Sequence, residues 1–165
     1  MKKLSKDDPR AQHMSSNVIV DRAGLDEFVA GKHHWVLTTM RADGRPQMSL
    51  VTGAMTSSGR LATASYPGRA KTINARRDPR VSVLVMGERF DDAWVQIDGD
   101  ATVLDMPDAS DGLVEYYRSI SGEHPDWDEY RAAMERQSKS LIRISIDRWG
   151  PIAKGGFPAR LVDGD

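Results

Sequence analysis

Five cationic side chains, Arg69, Lys71, Arg76, Arg77 and Arg80, crowd into residues 69–80, directly behind Tyr66-Pro67-Gly68. A turn that opens a helix leaves backbone N–H groups unpaired and partly positive, so flanking Arg and Lys side chains would complete a site for an anion such as phosphate. Arg can grip two phosphate oxygens at once and Lys adds a point charge. The same residues also suit a solvated basic helix face, and charge alone favours that plainer reading, because charge runs usually mean solubility.

Other chemistry is sparse. The chain has no Gly-rich Walker loop, no Gly-x-Gly-x-x-Gly after a strand and no Gly-x-Ser-x-Gly, so the common nucleotide and hydrolase signals are missing. The four histidines, His13, His33, His34 and His124, lack the i, i+4 spacing of a metal pair, and no metal site is expected. Asp91, Asp92, Asp98 and Asp100 could act as acid or base, although nothing fixes two of them at catalytic separation, and loop solvation is their plainer role. Trp94 and Phe90 could stack on a flat ligand or serve as wall and interface aromatics.

The elements that must position these residues are mostly strands. Residues 34–40 are β-branched and aromatic, and Asp43-Gly44 predicts a tight hairpin returning through residues 46–55. Residues 60–65 read as a third strand whose small members, Ala62, Thr63, Ala64 and Ser65, leave room for something flat or bulky. A helix of one or two turns over 70–77 ends before Asp78-Pro79, because the residue preceding proline avoids the α region. Strands over 80–86 and 93–104 follow, the second with a bend or bulge at Asp98-Gly99-Asp100. Helical spacing predicts helices over 21–31, 110–120 and 127–137, and 141–147 is a last alternating strand before an irregular C-terminal tail. About six antiparallel strands with few helices argue for a closed or nearly closed sheet, since closure removes exposed edges.

Residues 1–17 are polar and predict a mobile N-terminal tail, leaving 18–165 as a single domain. A formal net charge of −1 gives no global field toward nucleic acid or an anionic membrane, so any anion site must be local. Without Cys there is no thiolate nucleophile and no disulfide framework. The basic start has no apolar run behind it, and no stretch approaches the roughly 18 to 20 apolar residues of a membrane span. A cytoplasmic protein is the expectation.

Three segments carry a resemblance: residues 43–49 (Asp-Gly-Arg-Pro-Gln-Met-Ser), residues 69–80 (Arg-Ala-Lys-Thr-Ile-Asn-Ala-Arg-Arg-Asp-Pro-Arg) and residues 122–130 (Gly-Glu-His-Pro-Asp-Trp-Asp-Glu-Tyr). Over roughly residues 25–149 the chain resembles the pyridoxamine 5′-phosphate oxidase-like split-barrel superfamily, specifically its branch of oxidoreductases using the deazaflavin coenzyme F-420. The resemblance implies a mainly β fold with flanking helices, a six-stranded antiparallel split β-barrel. It implies Gln47, Ser49 and Val51 at the cofactor ring with Ser65 beside it, and Arg69, Lys71, Thr72 and Asn74 toward its phosphate. It also implies a homodimer with cofactor sites at the subunit interface, so that Trp94 reaches the ring from the partner chain. Arg76 and Arg77 stay open between acidic partners and the anionic oligoglutamate tail of the cofactor. The vitamin-forming oxidases carry a C-terminal Arg-x-His that is missing from residues 155–162, which speaks against pyridoxal phosphate synthesis. FMN remains an alternative cofactor, and a carrier that binds F-420 or FMN without turnover an alternative function.

Overall fold

The alternating segments pair into one curled antiparallel sheet in the computed structural model, which describes residues 3, 5 and 7–162. Its strands are β1 (Ser16–Val18), β2 (His34–Met40), β3 (Pro46–Thr52), β4 (Ala54–Met55), β5 (Leu61–Ser65), β6 (Arg80–Met86), β7 (Trp94–Asp105), β8 (Ser140–Ile144), β9 (Arg148–Trp149) and β10 (Ile152–Lys154). The helices are α1 (Arg22–Val29), α2 (Ala70–Arg77), α3 (Ser110–Ser121) and α4 (Trp127–Arg136). The main path runs β3-β2-β6-β7-β8-β5-β4. Its two ends, β3 and β4, are consecutive in the chain, so the sheet curls almost into a barrel and stays split between β3 and β5. The mainly β, split-barrel architecture expected from the sequence is the one observed.

Two glycines make the curl possible. At Gly53 a Cβ would lie 1.9 Å from the Trp35 ring, so only glycine lets the chain turn from β3 into β4 across the buried indole. The expected strand over 46–55 is therefore two strands. At Gly99 a Cβ would lie 1.8 Å from the Ser145 carbonyl oxygen. Here β7 changes partners, pairing with β6 up to Asp100 and with β8 from Ala101 onward. The bend expected at 98–100 is thus the corner between the two halves of the barrel.

Alternation then sorts the side chains. Trp35, Leu37, Val83, Val85, Val95, Ile97, Ile142 and Ile144 point inward and form the main core with Leu25, Val29 and Leu61. Each fully buried aliphatic side chain contributes about 1.5–3 kcal/mol of transfer free energy. A second core lies outside β5 and β8, where Leu113 and Val114 of α3 and Tyr130 of α4 cover Ala62 and Leu141. Asp126 caps α4 by accepting from the Glu129 N–H at 2.9 Å.

Several boundaries differ from the sequence reading. The hairpin after β2 has three loop residues, with Gly44 at φ 82° and the Arg41 N–H donating to the Arg45 carbonyl at 2.8 Å. The strand expected over 141–147 leaves its ladder after Ile144. Within the N-terminal segment expected as a tail, Pro9–Gln12 forms a 3-10 helix, and β1 pairs with β10 through Ser16↔Lys154 and Val18↔Ile152. The C-terminal stretch expected to be irregular supplies β9 and β10, and the Trp149 indole donates to the Val20 carbonyl at 3.0 Å. β9 and β10 therefore pair along the edge of β7 away from β6, and β1 adds outside β10. Among the described residues no helix is long and apolar enough to cross a membrane.

Candidate functional site

Helix α2 lies against β2, β3 and β7 at one end of the barrel. Its inward side chains, Thr72, Asn74 and Ala75, are buried. Arg69 occupies the N-cap with extended backbone and makes no side-chain capping bond. The Thr72 and Ile73 amides donate to the Arg69 carbonyl at 2.9 and 3.0 Å, while those of Ala70 and Lys71 have no acceptor among the described residues. An uncapped helix start of this kind is polarised to receive an anion.

The five cations of this stretch separate cleanly. Arg76 pairs with Asp105 at 2.6 Å, and the Ser140 hydroxyl donates to the same carboxylate at 2.6 Å. Arg80 pairs with Asp78 at 2.7 Å and holds that carboxyl down at about 2. Arg77 donates to the Asn74 Oδ1 at 2.9 Å and to the Met40 carbonyl. Arg69 and Lys71 have no carboxylate partner among the described residues. Lys139, which the sequence reading did not single out, joins them. Its ammonium sits 3.8 Å from the centroid of the Tyr66 ring. Burial, then the charges of Arg69 and Lys139, push the Lys71 ammonium below the ordinary lysine range.

Lys139 arrives through two local features. Ser138 takes a left-handed turn at φ 49° after α4, and the Lys139 amide donates back to the Met134 carbonyl at 3.0 Å. Ser140 then pairs with Ser65, so the preceding Lys139 and the following Tyr66 lie side by side. Only the β5–β8 register carries this signal, and a single sequence does not display it.

The residues expected along the ring occupy the split. Gln47, Ser49 and Val51 lie opposite Thr39, Leu37 and Trp35 and share their inward face. Being on edge strand β3, they are half-buried. Thr39 connects them to α2, because it accepts from the Asn74 Nδ2 at 3.1 Å and donates to the Gln47 Oε1 at 3.1 Å. Ser65 and Thr72 meet beneath α2, with the Thr72 hydroxyl donating to the Ser65 Oγ at 2.8 Å. Ser65, Thr72 and Asn74 are all buried and spend their side chains on seating the helix. Val51 lies at the far end of β3.

Trp94 is elsewhere. It shares a register row with Met86 and, through it, with His34 and Thr52, whereas Thr39 and Gln47 lie five positions further along β2. At roughly 3.4 Å per residue the two rows are about 17 Å apart. Trp94 also faces outward, lining an apolar cavity of about 860 Å³ with Leu50, Leu84, Met86 and the fully exposed Phe90. On the same outer face Met48 and Leu50 are 67% and 81% exposed. Within one chain, therefore, the structure does not bring Trp94 to the basic end.

Two further expectations meet different surroundings. The room expected beside the small residues of β5 is filled, since Ala62 is fully buried under α3 and the Thr63 hydroxyl donates to the Thr52 carbonyl at 2.8 Å. The candidate acids are engaged elsewhere: Asp91 and Asp92 hold Arg89, and Asp98 accepts from Ser82, Gln96 and Arg148. Those bonds, led by that from Ser82, keep Asp98 below the usual carboxylate range.

The fold is thus a split barrel with a cationic cluster at the uncapped start of α2. The family profile described as pyridoxamine 5′-phosphate oxidase matches residues 22–153, and the chain belongs to that family. This split-barrel superfamily carries flavin- and deazaflavin-type redox chemistry. Among solved structures, the conserved hypothetical protein Rv2991 from Mycobacterium tuberculosis is similar at 24% identity, with 83% of this chain and 87% of that one covered and a TM-score of 0.69. A putative pyridoxamine 5′-phosphate oxidase from Listeria innocua is similar at 20% identity, covering 79% and 97%, with a TM-score of 0.58. A protein described as an F420 reductase is similar at 17% identity, covering 76% and 94%, with a TM-score of 0.57. At these identities the likeness is one of fold.

Proposed function

We propose that this chain is a cytoplasmic, homodimeric oxidoreductase that uses coenzyme F-420 to reduce a small organic acceptor such as an activated double bond. The observation carrying this reading is the group of Arg69, Lys71 and Lys139, gathered at the uncapped start of α2 without a carboxylate partner among the described residues. Like charges held together around the partly buried Lys71 cost free energy, which a bound anion offsets. The donor set fits a phosphate group, with a guanidinium, two ammonium groups and two free amides around one turn. Its charge also suits a cofactor with further anionic groups beyond the phosphate, as the oligoglutamate tail of F-420 supplies. The similar fold of a protein described as an F420 reductase adds support.

When bound, reduced F-420 supplies a hydride to the acceptor. The protein's part is orientation. Arg69, Lys71 and Lys139 hold the phosphate end, and Gln47, Ser49 and Val51 line the path of the ring along the split. Thr72 on Ser65 ties α2 to β5, and Asn74 on Thr39 ties it to β2, whose Thr39 in turn bonds Gln47 of β3. The exposed outer face with Met48, Leu50 and Phe90 receives a second copy of the chain, which brings the partner subunit's Trp94 toward the ring.

Purified protein titrated separately with F-420 and FMN, followed by cofactor fluorescence, tests the reading. Micromolar F-420 binding, and single-turnover oxidation of the reduced cofactor by a panel of enones and quinones, is the expected result. Binding of neither cofactor overturns it, tighter binding of FMN reassigns the cofactor, and binding without oxidation reassigns the protein as a carrier. Sedimentation at micromolar concentration checks the dimer.

A further inference from the structure

Five polar side chains bond in a single file from the barrel end to the open strand edge: Arg77, Asn74, Thr39, Gln47 and Ser49. The direction of every bond in the file is determined. A guanidinium can only donate, so the Asn74 atom 2.9 Å from Arg77 is the carbonyl Oδ1. Its Nδ2 must then donate to the Thr39 Oγ1 at 3.1 Å. With its oxygen accepting there, the Thr39 hydroxyl donates onward to the Gln47 Oε1 at 3.1 Å. A backbone carbonyl can only accept, so the Gln47 nitrogen is also identified independently, by its 2.8 Å bond to the Met48 carbonyl. That nitrogen donates to the Ser49 Oγ at 2.8 Å.

The file thus enters Ser49 through its lone pair. The Ser49 hydroxyl hydrogen has no acceptor among the described residues, and the side chain is half-buried on the inward face of an edge strand. Thr39 is fully buried and Asn74 nearly so, which removes water as a competing partner at the middle of the file.

We propose that Ser49 is a fixed hydrogen-bond donor toward a carbonyl oxygen of the bound ring, and that Arg77, Asn74, Thr39 and Gln47 are positioning residues that set its polarity. The inference rests on the reading of the split as the ring's platform. It also gives Arg77 a role distinct from the phosphate anchor. A ligand presenting a carbonyl oxygen at this point is favoured over one presenting an N–H, because a donor facing the outward hydrogen of Ser49 would leave both groups unpaired.

The test compares Ser49→Ala, Thr39→Val, Thr39→Ser and the double variant Ser49→Ala/Thr39→Val, reading F-420 dissociation constants and the visible absorption band of the bound cofactor. Ser49→Ala should weaken binding about tenfold, the worth of one hydrogen bond, and shift the band. Thr39→Val should shift the band in the same sense, Thr39→Ser should restore it, and the double variant should go no further than Ser49→Ala. Wild-type affinity and spectrum in Ser49→Ala, or additive effects in the double variant, overturn the proposal while leaving the cofactor reading in place. Failure of the wild-type protein to bind F-420 or FMN overturns both. Should Thr39→Val not fold, Ser49→Ala on the strand edge decides alone.

Discussion

Replacing Gly53 with Ala tests the hinge that opens the split. The added Cβ would sit 1.9 Å from one Trp35 ring atom and 2.2 and 2.3 Å from two more, far inside contact distance. Trp35 cannot swing away freely, because it is 1% exposed and its indole N–H donates to the Lys32 carbonyl at 2.8 Å. The Gly53 backbone is also tied, its N–H donating to the His33 carbonyl at 3.0 Å and its carbonyl facing the His33 Nδ1 at 2.8 Å. Overpacking costs about 1–3 kcal/mol, and displacing the indole from its acceptor adds about 1–3 kcal/mol. A loss of about 3 kcal/mol is therefore expected. For a domain of this size each kcal/mol moves Tm by roughly 2–4 °C, so the melting temperature should fall by about 6–12 °C. Gly68→Ala is the control, since its Cβ would meet nothing within 4 Å and it should melt within about 2 °C of wild type. A Gly53→Ala protein melting within that same margin would refute the placement of Trp35 across the hinge.

Other consequences are separate in kind. Arg80 beside Asp78, and Ser140 followed by Arg76 at Asp105, hold these carboxyls below their ordinary value, Asp78 at about 2. Groups whose folded pKa is depressed stabilise the protein above the unfolded value near 3.8 and lose that contribution as pH falls toward the folded one. Urea midpoints should therefore be level above about pH 5 and drop between about pH 4 and 2, and Asp105→Asn should flatten that drop. The Tyr130 hydroxyl, pushed up to about 12 chiefly by burial, donates to the Leu113 carbonyl at 3.1 Å; Tyr130→Phe should cost about 1 kcal/mol in urea unfolding. Because Lys71 titrates below the ordinary lysine value of 10.5, phosphate affinity should fall as pH rises through that depressed range. Lys139→Ala should weaken phosphate binding at neutral pH and move the alkaline limb upward, which isothermal titration at several pH values would read.

Local chemistry made much of the fold legible. Alternation placed the six long strands, Asp78-Pro79 marked the end of α2, and helical spacing marked α4, because each of these signals acts within a few residues. What stayed hidden depended on residues distant in the chain. Gly53 looked like one more strand residue until Trp35 packed on it, and β1 was unreadable without its partner β10. The site divided in the same way. Arg69 and Lys71 were recognisable from their place at the start of a helix, whereas Lys139 reaches them only through the Ser65↔Ser140 register. Arg76 and Arg77 looked equivalent as charges, and only the structure separates an ion pair to Asp105 from a donor to Asn74. Trp94 lies on the opposite face of the sheet because residues of one strand alternate sides, and its register row is remote from Gln47.

The central claim is that the start of α2 holds the phosphate of the cofactor. F-420 titration of the wild type and of Arg69→Ala/Lys71→Ala, with circular dichroism and melting curves to verify the fold, tests it most directly. Each charge-assisted contact is worth about 1.5–3 kcal/mol, so the double variant should keep its fold and lose at least about 100-fold in affinity. A folded double variant that binds F-420 with the wild-type dissociation constant would contradict the assignment.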